Sequence, residues 1–367
     1  MTRQELTAYI ESILPADREA MDAARRRQAE LAKPPGSLGA LEDMSIRLAG
    51  IRRTPRPRID RCRVTVLAAD NGVVAEGVSC APQSVTVQQA VNMTRHKTGM
   101  SALAAYFGDQ VQVVDVGICV PVSCPQVLDR KVRFSTGDIA AEPAMTEQEA
   151  LRALSVGLDL AHMAKEEGID AVGVGEMGIG NTTTSAAVLA ALTGASVEDV
   201  TGRGGGLTDR GFATKKRVLR QALALHHPDP GDPVAVLAAV GGLDLAAMTG
   251  LFLGCAHEGL AAAVDGYISI VAALCAVRLC PRVRDYLFLS HASYEIGYRL
   301  EARELELEPC LLLGMRLGEG SGCPLLFRIL QGACAVLDGM ATFPEAAIAD
   351  EYLTPIRQGD AFTVDKS

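Results

Sequence analysis

Four short runs recur along the chain, each apolar, mostly β-branched and ended by a polar residue or glycine. They are VTVLAAD (Val64–Asp70), VQVVDVG (Val111–Gly117), DAVGVGE (Asp170–Glu176) and DYLFLSH (Asp285–His291). Such runs are too short for helices and nearly unbroken by polar side chains, so they read as strands buried on both faces of a parallel sheet. Helical patterns separate them, over Ser84–Phe107, Glu147–Glu167, Asn181–Leu192, Asp209–Leu225 and Gly266–Leu279. Thr146 with Glu149 makes a capping box at the head of one of these. Strand and helix in alternation predict an α/β chain with a doubly wound, mostly parallel sheet, whose ligands bind outside the carboxyl ends of the strands. Attention therefore falls on polar residues at those ends: Asp70, Glu176, Ser290 and, after a later loop, Glu319.

Both chain ends read as helical. Thr2 and Glu5 form a second capping box, with apolar residues at Leu6, Ile10, Ile13 and Leu14, and the first fifty residues divide into two helices. KPPGSLG (Lys33–Gly39) is a turn whose Ser37 can cap a helix running to Ile51, and Leu325–Leu337 is an apolar helix. Arg52–Arg63 carries six arginines and two prolines. The prolines forbid a continuous helix, and a solvated linker is the simpler reading than a phosphate patch. With 367 residues the chain is long enough for one large or two ordinary domains. The expected division is residues 1–60 and 320–367 in a small helical domain, with residues 61–319 forming the sheet domain.

Composition narrows the function. A net charge of −9 argues against a nucleic-acid partner, which needs a basic excess. The longest charge-free run, Met177–Val197, carries Asn181, Thr182, Thr183, Thr184 and Ser185, so no membrane span is expected. The N-terminus has no apolar leader core, so a cytoplasmic chain is expected. The ten cysteines include no C-x-x-C pair and the six histidines are scattered, so neither a metal nor another cofactor is expected. With 36 glycines, no tryptophan and 4% aromatic residues, binding falls to glycine-rich loops.

Three such loops stand out, and each has an ordinary structural reading beside the functional one. EMGIGNTTT (Glu176–Thr184) ends a strand and opens a helix. Gly178 and Gly180 permit close backbone approach, and Asn181 and Thr182 sit where a helix N-terminus can take an anion or merely be capped. TGRGGGLTD (Thr201–Asp209), containing Gly202, Arg203 and Gly204, is followed by Lys215 and Lys216; it is either a flexible turn or a phosphate loop with a lysine behind it. LGEGSGCP (Leu317–Pro324) presents Glu319 between glycines, as a general base in a desolvated cleft or as a stabiliser of the next helix. SHASYEIG (Ser290–Gly297) offers hydroxyls and an imidazole, but adjacent residues on an extended chain face opposite ways and no nucleophile elbow is present.

KPPGSLGALE, AADNGVVAEGVS, EPAMT, GEMGIGNTTTSAA, TGRGGGL, VDGYI, DYLFLSHASYEIGY and RLGEGSGCPL follow one another in this order from about Leu31 to Glu345. In this the chain resembles the nicotinate-nucleotide:dimethylbenzimidazole phosphoribosyltransferases, which make the lower-ligand nucleotide of cobalamin. The resemblance implies a six-stranded, mostly parallel Rossmann-like domain, a small helical domain built from both chain ends, and a homodimer. It implies transfer of the phosphoribosyl group of nicotinate mononucleotide to a ring nitrogen of dimethylbenzimidazole, with inversion at C1′ and without metal or redox cofactor. On this likeness Glu319 is the general base and Glu176 a second carboxylate near the ribose and attacking base. Gly178, Gly180, Asn181, Thr182, Gly202, Arg203, Gly204, Lys215, Ser290, His291 and Ser293 hold phosphate and ribose. The base pocket falls on Asp70, Asn71, Ser79, Gln88 and Leu317. The chain has Asp70-Asn71-Gly72 where the family commonly has Asp-His-Gly, and Ser293-Tyr294-Glu295-Ile296-Gly297-Tyr298 in place of Ser-Ala-Glu-x-Gly-His. It also has Gly204-Gly205-Gly206-Leu207 where the family has a GRGTGL. The acceptor thus stays open among dimethylbenzimidazole, other benzimidazoles, adenine and phenols. A glycohydrolase, with water as acceptor, and a non-catalytic nucleotide sensor are the other readings of the same residues.

Overall fold

A computed structural model describes residues 1–357. Six strands, β1 (Cys62–Ala69), β2 (Gln110–Gly117), β3 (Val127–Asp129), β4 (Ala171–Met177), β5 (Ala261–Val264) and β6 (Leu287–Leu289), form one sheet in the order β3-β2-β1-β4-β5-β6. Every pairing is parallel. β1 and β4 are buried along their whole length, as strands covered by helices on both faces must be. The order reverses between β1 and β4, and the crevice at their carboxyl ends is where a doubly wound sheet receives its ligand.

The apolar runs lie in the sheet, with bounds shifted by a residue or two, so Asp70 falls just beyond β1. Two strands carry no such signature. β5 reads AAAV and β3 only VLD, too short and too poor in β-branched residues to be told from loop or helix. DYLFLSH contributes only Leu287–Leu289, because Pro281–Tyr286 forms a 3-10 turn.

The pattern expected to be one helix over Ser84–Phe107 is two, Ser84–Thr94 and Gly99–Phe107. His96 adopts a left-handed φ of 57° between them, and Thr98 caps the second through a capping box with Ser101. The boxes at Thr2–Glu5 and Thr146–Glu149 form as expected. Three helices, Arg3–Ser12, Arg18–Glu30 and Ala40–Arg52, replace the two expected at the start. Ser37 does not cap the third: Gly39 holds the N-cap position without a side-chain bond.

The chain divides into two compact units. One comprises Met1–Pro15 with Ile59–Arg328, the other Ala16–Arg58 with the chain from Ile329 onward. The first helix thus groups with the sheet, not with the helices that follow it. Arg3 pairs with Glu147 at 2.9 Å and Asp232 at 2.7 Å, Tyr9 stacks on His257, and the Tyr286 hydroxyl donates to the Leu14 carbonyl. In the smaller unit Ala24, Ile46, Ala49 and Leu337 form the core, and Lys33 of the KPPGSLG turn is buried in an ion pair with Glu42 at 2.7 Å. Residues 358–367, included in the expected 320–367 segment, lie outside the described residues. Among the described residues no helix is long and apolar enough to cross a membrane.

Against the sheet, helices Glu147–Glu166 and Leu243–Glu258 pack at backbone contact. A Cβ on Gly157 would stand 2.1 Å from the Ala247 carbonyl, and one on Gly250 would stand 2.0 Å from the Leu154 carbonyl. This crossing fixes the first turn of the second helix, which carries the buried Asp244 to the carboxyl end of the sheet. Gly157→Val is expected to force the helices apart at a cost of about 3 kcal/mol or more, measured as a lowered urea midpoint with an unchanged slope.

Candidate active site

The carboxyl ends of β4 and β5 open into a cleft enclosing about 250 Å³. Glu176 is the last residue but one of β4, and Asp265 follows β5 directly. Opposite them runs the Gly318–Cys323 turn, which the sequence of β4 makes possible. Gly173 and Gly175 occupy one face of the strand, two residues apart. A Cβ on Gly173 would meet Cys323 Cβ at 2.5 Å, and one on Gly175 would meet the Glu319 carbonyl oxygen at 2.5 Å. The turn therefore lies flat on strand backbone.

Within it Gly318, Glu319 and Gly320 take φ values of 83°, 65° and 85°, three left-handed residues in a row. Glycine accepts this freely; Glu319 does not, and strain of this kind costs about 1–3 kcal/mol. Glu319 as a residue is only 6% exposed. It receives long bonds of 3.4 Å from Gln89 Nε2 and from the Met100 amide at the head of the Gly99–Phe107 helix. The break at Arg95–Thr98 is what brings that amide to it. Burial raises the proton affinity of Glu319 and the charge of Asp265 adds to this, while the Thr98 hydroxyl and the Met100 amide oppose it.

Glu176 stands behind the turn. Its Oε1 accepts the Glu319 backbone N–H at 3.2 Å and its Oε2 accepts from Asn181 Nδ2, which also donates to Asp244 Oδ2 at 3.1 Å. Burial, with the charges of Asp244 and Asp265, pushes Glu176 up to about 8; burial pushes Asp244 up to about 6. Among the described residues no group of His, Cys, Asp and Glu side chains is arranged to hold a metal ion.

On the other side of the cleft helix Asn181–Thr193 begins at Gly180, whose φ is 94°, and no side chain caps it. The Asn181 and Thr183 amides donate to the Gly178 and Gly180 carbonyls at 3.2 and 2.9 Å, and Gly180, Asn181 and Thr182 line the cleft together with Gly204 of the glycine loop. Lys215 lies fully buried behind both, donating to Thr182 Oγ1 at 2.8 Å and to the Gly202 carbonyl at 3.2 Å. Desolvation lowers it to about 8, opposed by Glu295. Lys216 points elsewhere, over the Phe212 ring.

Glu319, Glu176, Gly178, Gly180, Asn181 and Thr182 all line the cleft, as do Arg203, Gly204, His291, Ser293, Ser79 and Leu317. Gly202, Lys215, Ser290, Asp70 and Asn71 stand behind that lining. Asp70 accepts from the Thr86 hydroxyl at 2.7 Å and the Cys119 amide at 2.9 Å, and Thr86 in turn accepts the Ile179 amide. Asn71 Nδ2 donates to the Ile179 carbonyl and Asn71 Oδ1 accepts from Thr184, so both residues brace the loop from below. Gln88 borders a separate surface hollow with Val87 and Asn92, while Gln89, one position on along the helix, faces the cleft. Gly178 is required by the Ala69 carbonyl, 2.3 Å from where its Cβ would stand, as much as by any ligand. Ser290 and His291 do not face apart: Ser290 Oγ lies 3.0 Å from His291 Nδ1 and donates to the Asp265 carbonyl at 3.3 Å. Among the described residues the buried His291 Nε2 has no hydrogen-bond partner.

Sequence reasoning passed over Asp265, Asp244, Gln89 and Glu295. Asp265 had a usable signal, since Val264-Asp265-Gly266 repeats the strand-carboxylate-glycine device of Ala69-Asp70 and Gly175-Glu176. Asp244 lies inside a helix far along the chain and had none.

A helix N-terminus with no side-chain cap, beside a shielded carboxylate of raised proton affinity, is the equipment of a group-transfer enzyme acting on a phosphorylated small molecule. Comparison with known proteins narrows this class. A family model described as phosphoribosyltransferase matches residues 13–348, and the chain belongs to that family. A nicotinate-nucleotide–dimethylbenzimidazole phosphoribosyltransferase of Clostridium perfringens is 45% identical over 98% of this chain and 99% of its own length. The enzyme of the same name from Geobacter sulfurreducens is 46% identical over 94% and 98%. Among solved structures, CobT from Thermus thermophilus superposes with a TM-score of 0.87 at 42% identity, covering 90% of this chain and 99% of that one.

The buried acids make stability depend on pH. Glu176 ionises near 4.5 when unfolded and near 8 when folded, and Asp244 near 3.8 and near 6. Between these limits the folded state holds protons the unfolded state has lost, so stability falls as pH rises. The urea midpoint is expected to drop between pH 5 and pH 8, and to drop less in Glu176→Gln.

Proposed function

We propose that the protein transfers the phosphoribosyl group of nicotinate mononucleotide to 5,6-dimethylbenzimidazole or a related lower-ligand base, releasing nicotinate and forming the α-riboside 5′-phosphate used in cobalamin assembly. Its strand order, 3-2-1-4-5-6, is that of a Rossmann-like sheet. The observation that carries the reading is Glu319: a carboxylate of raised proton affinity, shielded from water, across one cleft from an uncapped helix N-terminus backed by a lysine.

The 5′-phosphate binds the amides of Gly180 and Thr182 and the loop at Gly204, with Lys215 holding both in register from behind. Ser293 and the unpartnered His291 Nε2 reach the phosphate-ribose portion from the β6 side. The nicotinate ring leaves as a neutral pyridine, its cationic nitrogen recovering the electron pair of the broken C1′–N bond, so departure needs no acid. The attacking azole must lose its N–H proton, and Glu319 takes it as the new C1′–N bond forms on the opposite face; inversion turns the β-nucleotide into the α-product. Glu176, held protonated at neutral pH by its surroundings, already carries a proton, so Glu319 is the carboxylate that takes the azole proton at the point of attack. Ser79, Val78, Val85, Gln89 and Leu317 frame the acceptor's side. These walls are mostly aliphatic, which suits a flat azole held by contact area more than by stacking.

No cofactor enters this scheme. The enzyme works in the cytoplasm as a homodimer; the exposed side chains of Tyr294, Ile296, Leu312 and Leu313, in the segments flanking Glu295 and Leu317, supply an apolar face for pairing.

Glu319→Gln is expected to lower kcat by about 10²–10⁴-fold while nicotinate mononucleotide still binds. Turnover near wild type would remove Glu319 as the base. The product mass separates the acceptors: riboside phosphate marks transfer to a base, and free ribose phosphate marks hydrolysis. Lys215→Ala is expected to raise the nucleotide KM more than it lowers kcat, because it loosens the phosphate loop and touches nothing at C1′; steady-state kinetics at varied nucleotide concentration decide this.

A further inference from the structure

Asp265 has no part in the scheme above, yet it is 2% exposed at the centre of the site. Among the described residues it has no lysine or arginine partner. Its Oδ2 accepts the backbone N–H of Gly320 at 3.0 Å and its Oδ1 accepts that of Gly322 at 2.7 Å. Those two amides follow Glu319 on the chain, while the Glu319 amide itself is held by Glu176. Two of the three left-handed residues, Glu319 and Gly320, and Gly322 beyond them are thus gripped by carboxylates at the carboxyl ends of two neighbouring strands. Neither glycine can be exchanged for a residue that would hold the turn by itself. A Cβ on Gly320 would meet Val64 Cγ1 at 2.8 Å, and one on Gly322 would meet Ser290 Oγ at 2.3 Å. A strained turn persists only where its surroundings over-determine it.

We propose that Asp265 is the positioning residue for Glu319: its two oxygens clamp the amides of Gly320 and Gly322 and so hold the left-handed turn that aims the Glu319 carboxylate into the cleft. The inference rests on Glu319 being the base. Asp265 also acts on the chemistry through its charge. The groups around it are His291, whose Nδ1 is 3.7 Å from Oδ1, together with Glu176, Glu319, Tyr298 and Cys323. Of these only His291 can carry positive charge. The field of Asp265 at Glu319 therefore favours the protonated form, which keeps Glu319 a strong proton acceptor. Burial raises the proton affinity of Asp265; His291 and the amides of Gly322, Gly320 and Gly266 oppose it, favouring the ionised form that accepts them.

The test compares Asp265→Asn, Glu319→Gln and the double variant. The amide of Asn offers one acceptor where Asp offers two, so one of the two glycine amides loses its bond. Asp265→Asn is expected to lower kcat about 10–10²-fold, as a misaimed group does, with the nucleotide KM within about threefold of wild type. The acid limb of its pH–rate profile should move to lower pH, because removing a nearby anion lowers the proton affinity of Glu319. A structural lesion would reduce active protein and leave that limb in place. In the double variant the residual rate should equal that of Glu319→Gln alone, since Asp265 acts through Glu319. An unchanged kcat in Asp265→Asn, an unmoved acid limb, or an additive loss in the double variant each overturns the proposal. Should Asp265→Asn not fold, hydrogen exchange on the wild-type protein decides: slow exchange at Gly320 and Gly322 supports the clamp and fast exchange rejects it. If Glu319→Gln retains full activity, the base assignment fails instead, which is a different result.

Discussion

Carboxylates buried without a lysine or arginine beside them are the constraint around which this site is organised. Glu176, Asp244, Asp265 and Glu319 gather at the carboxyl ends of β4 and β5, where desolvation alone would forbid several full charges. Backbone amides and the Asn181 side chain supply what water no longer does. The amides of Glu319, Gly320 and Gly322 are spent on Glu176 and Asp265, and Asn181 Nδ2 is shared between Glu176 and Asp244. Because those donors are too few for full ionisation, the proton affinity of all four acids is raised, and Glu176 keeps its proton into the neutral range. The same shortage that weakens the fold gives the cleft a carboxylate able to accept a proton there.

The glycines are the geometric counterpart of this arrangement. Gly173 and Gly175 clear one face of β4 for the Gly318–Cys323 turn, while Gly157 and Gly250 let two helices touch backbone to backbone and carry Asp244 into place. A chain so rich in glycine gives up conformational entropy on folding. It recovers stability through an aliphatic core and obtains in exchange approaches that no side chain would permit. Few of these glycines are flexible hinges; most are sites of contact. Gly206 differs, with open space where a Cβ would stand.

Much of the scaffold was legible in the chain itself. β1, β2 and β4 announce themselves as β-branched runs, and the capping boxes at Thr2 and Thr146 mark helix starts to the residue. β5 was silent because three alanines and a valine fit helix and strand alike. The break after Thr94 was hidden because the apolar pattern continues across it, and only the turn at His96 and the cap at Thr98 interrupt it. Gln88 and Gln89 show the limit at single residues: both sit on one predicted helix, and a rotation of about 100° per residue decides which reaches the cleft.

The sequence by itself determined the sheet class, the loops that meet at its carboxyl edge and, through its ordered motifs, the family. These are local or linear properties: periodicity, caps, glycine spacing and motif order are written residue by residue. Only the tertiary structure decided which polar groups share one low-dielectric space. Asp265 and Asp244 reach Glu319 and Glu176 across large sequence separations, and Lys215 turns away from solvent to brace a loop. Proton affinity depends on distance and on excluded water, which exist only once the chain has closed on itself.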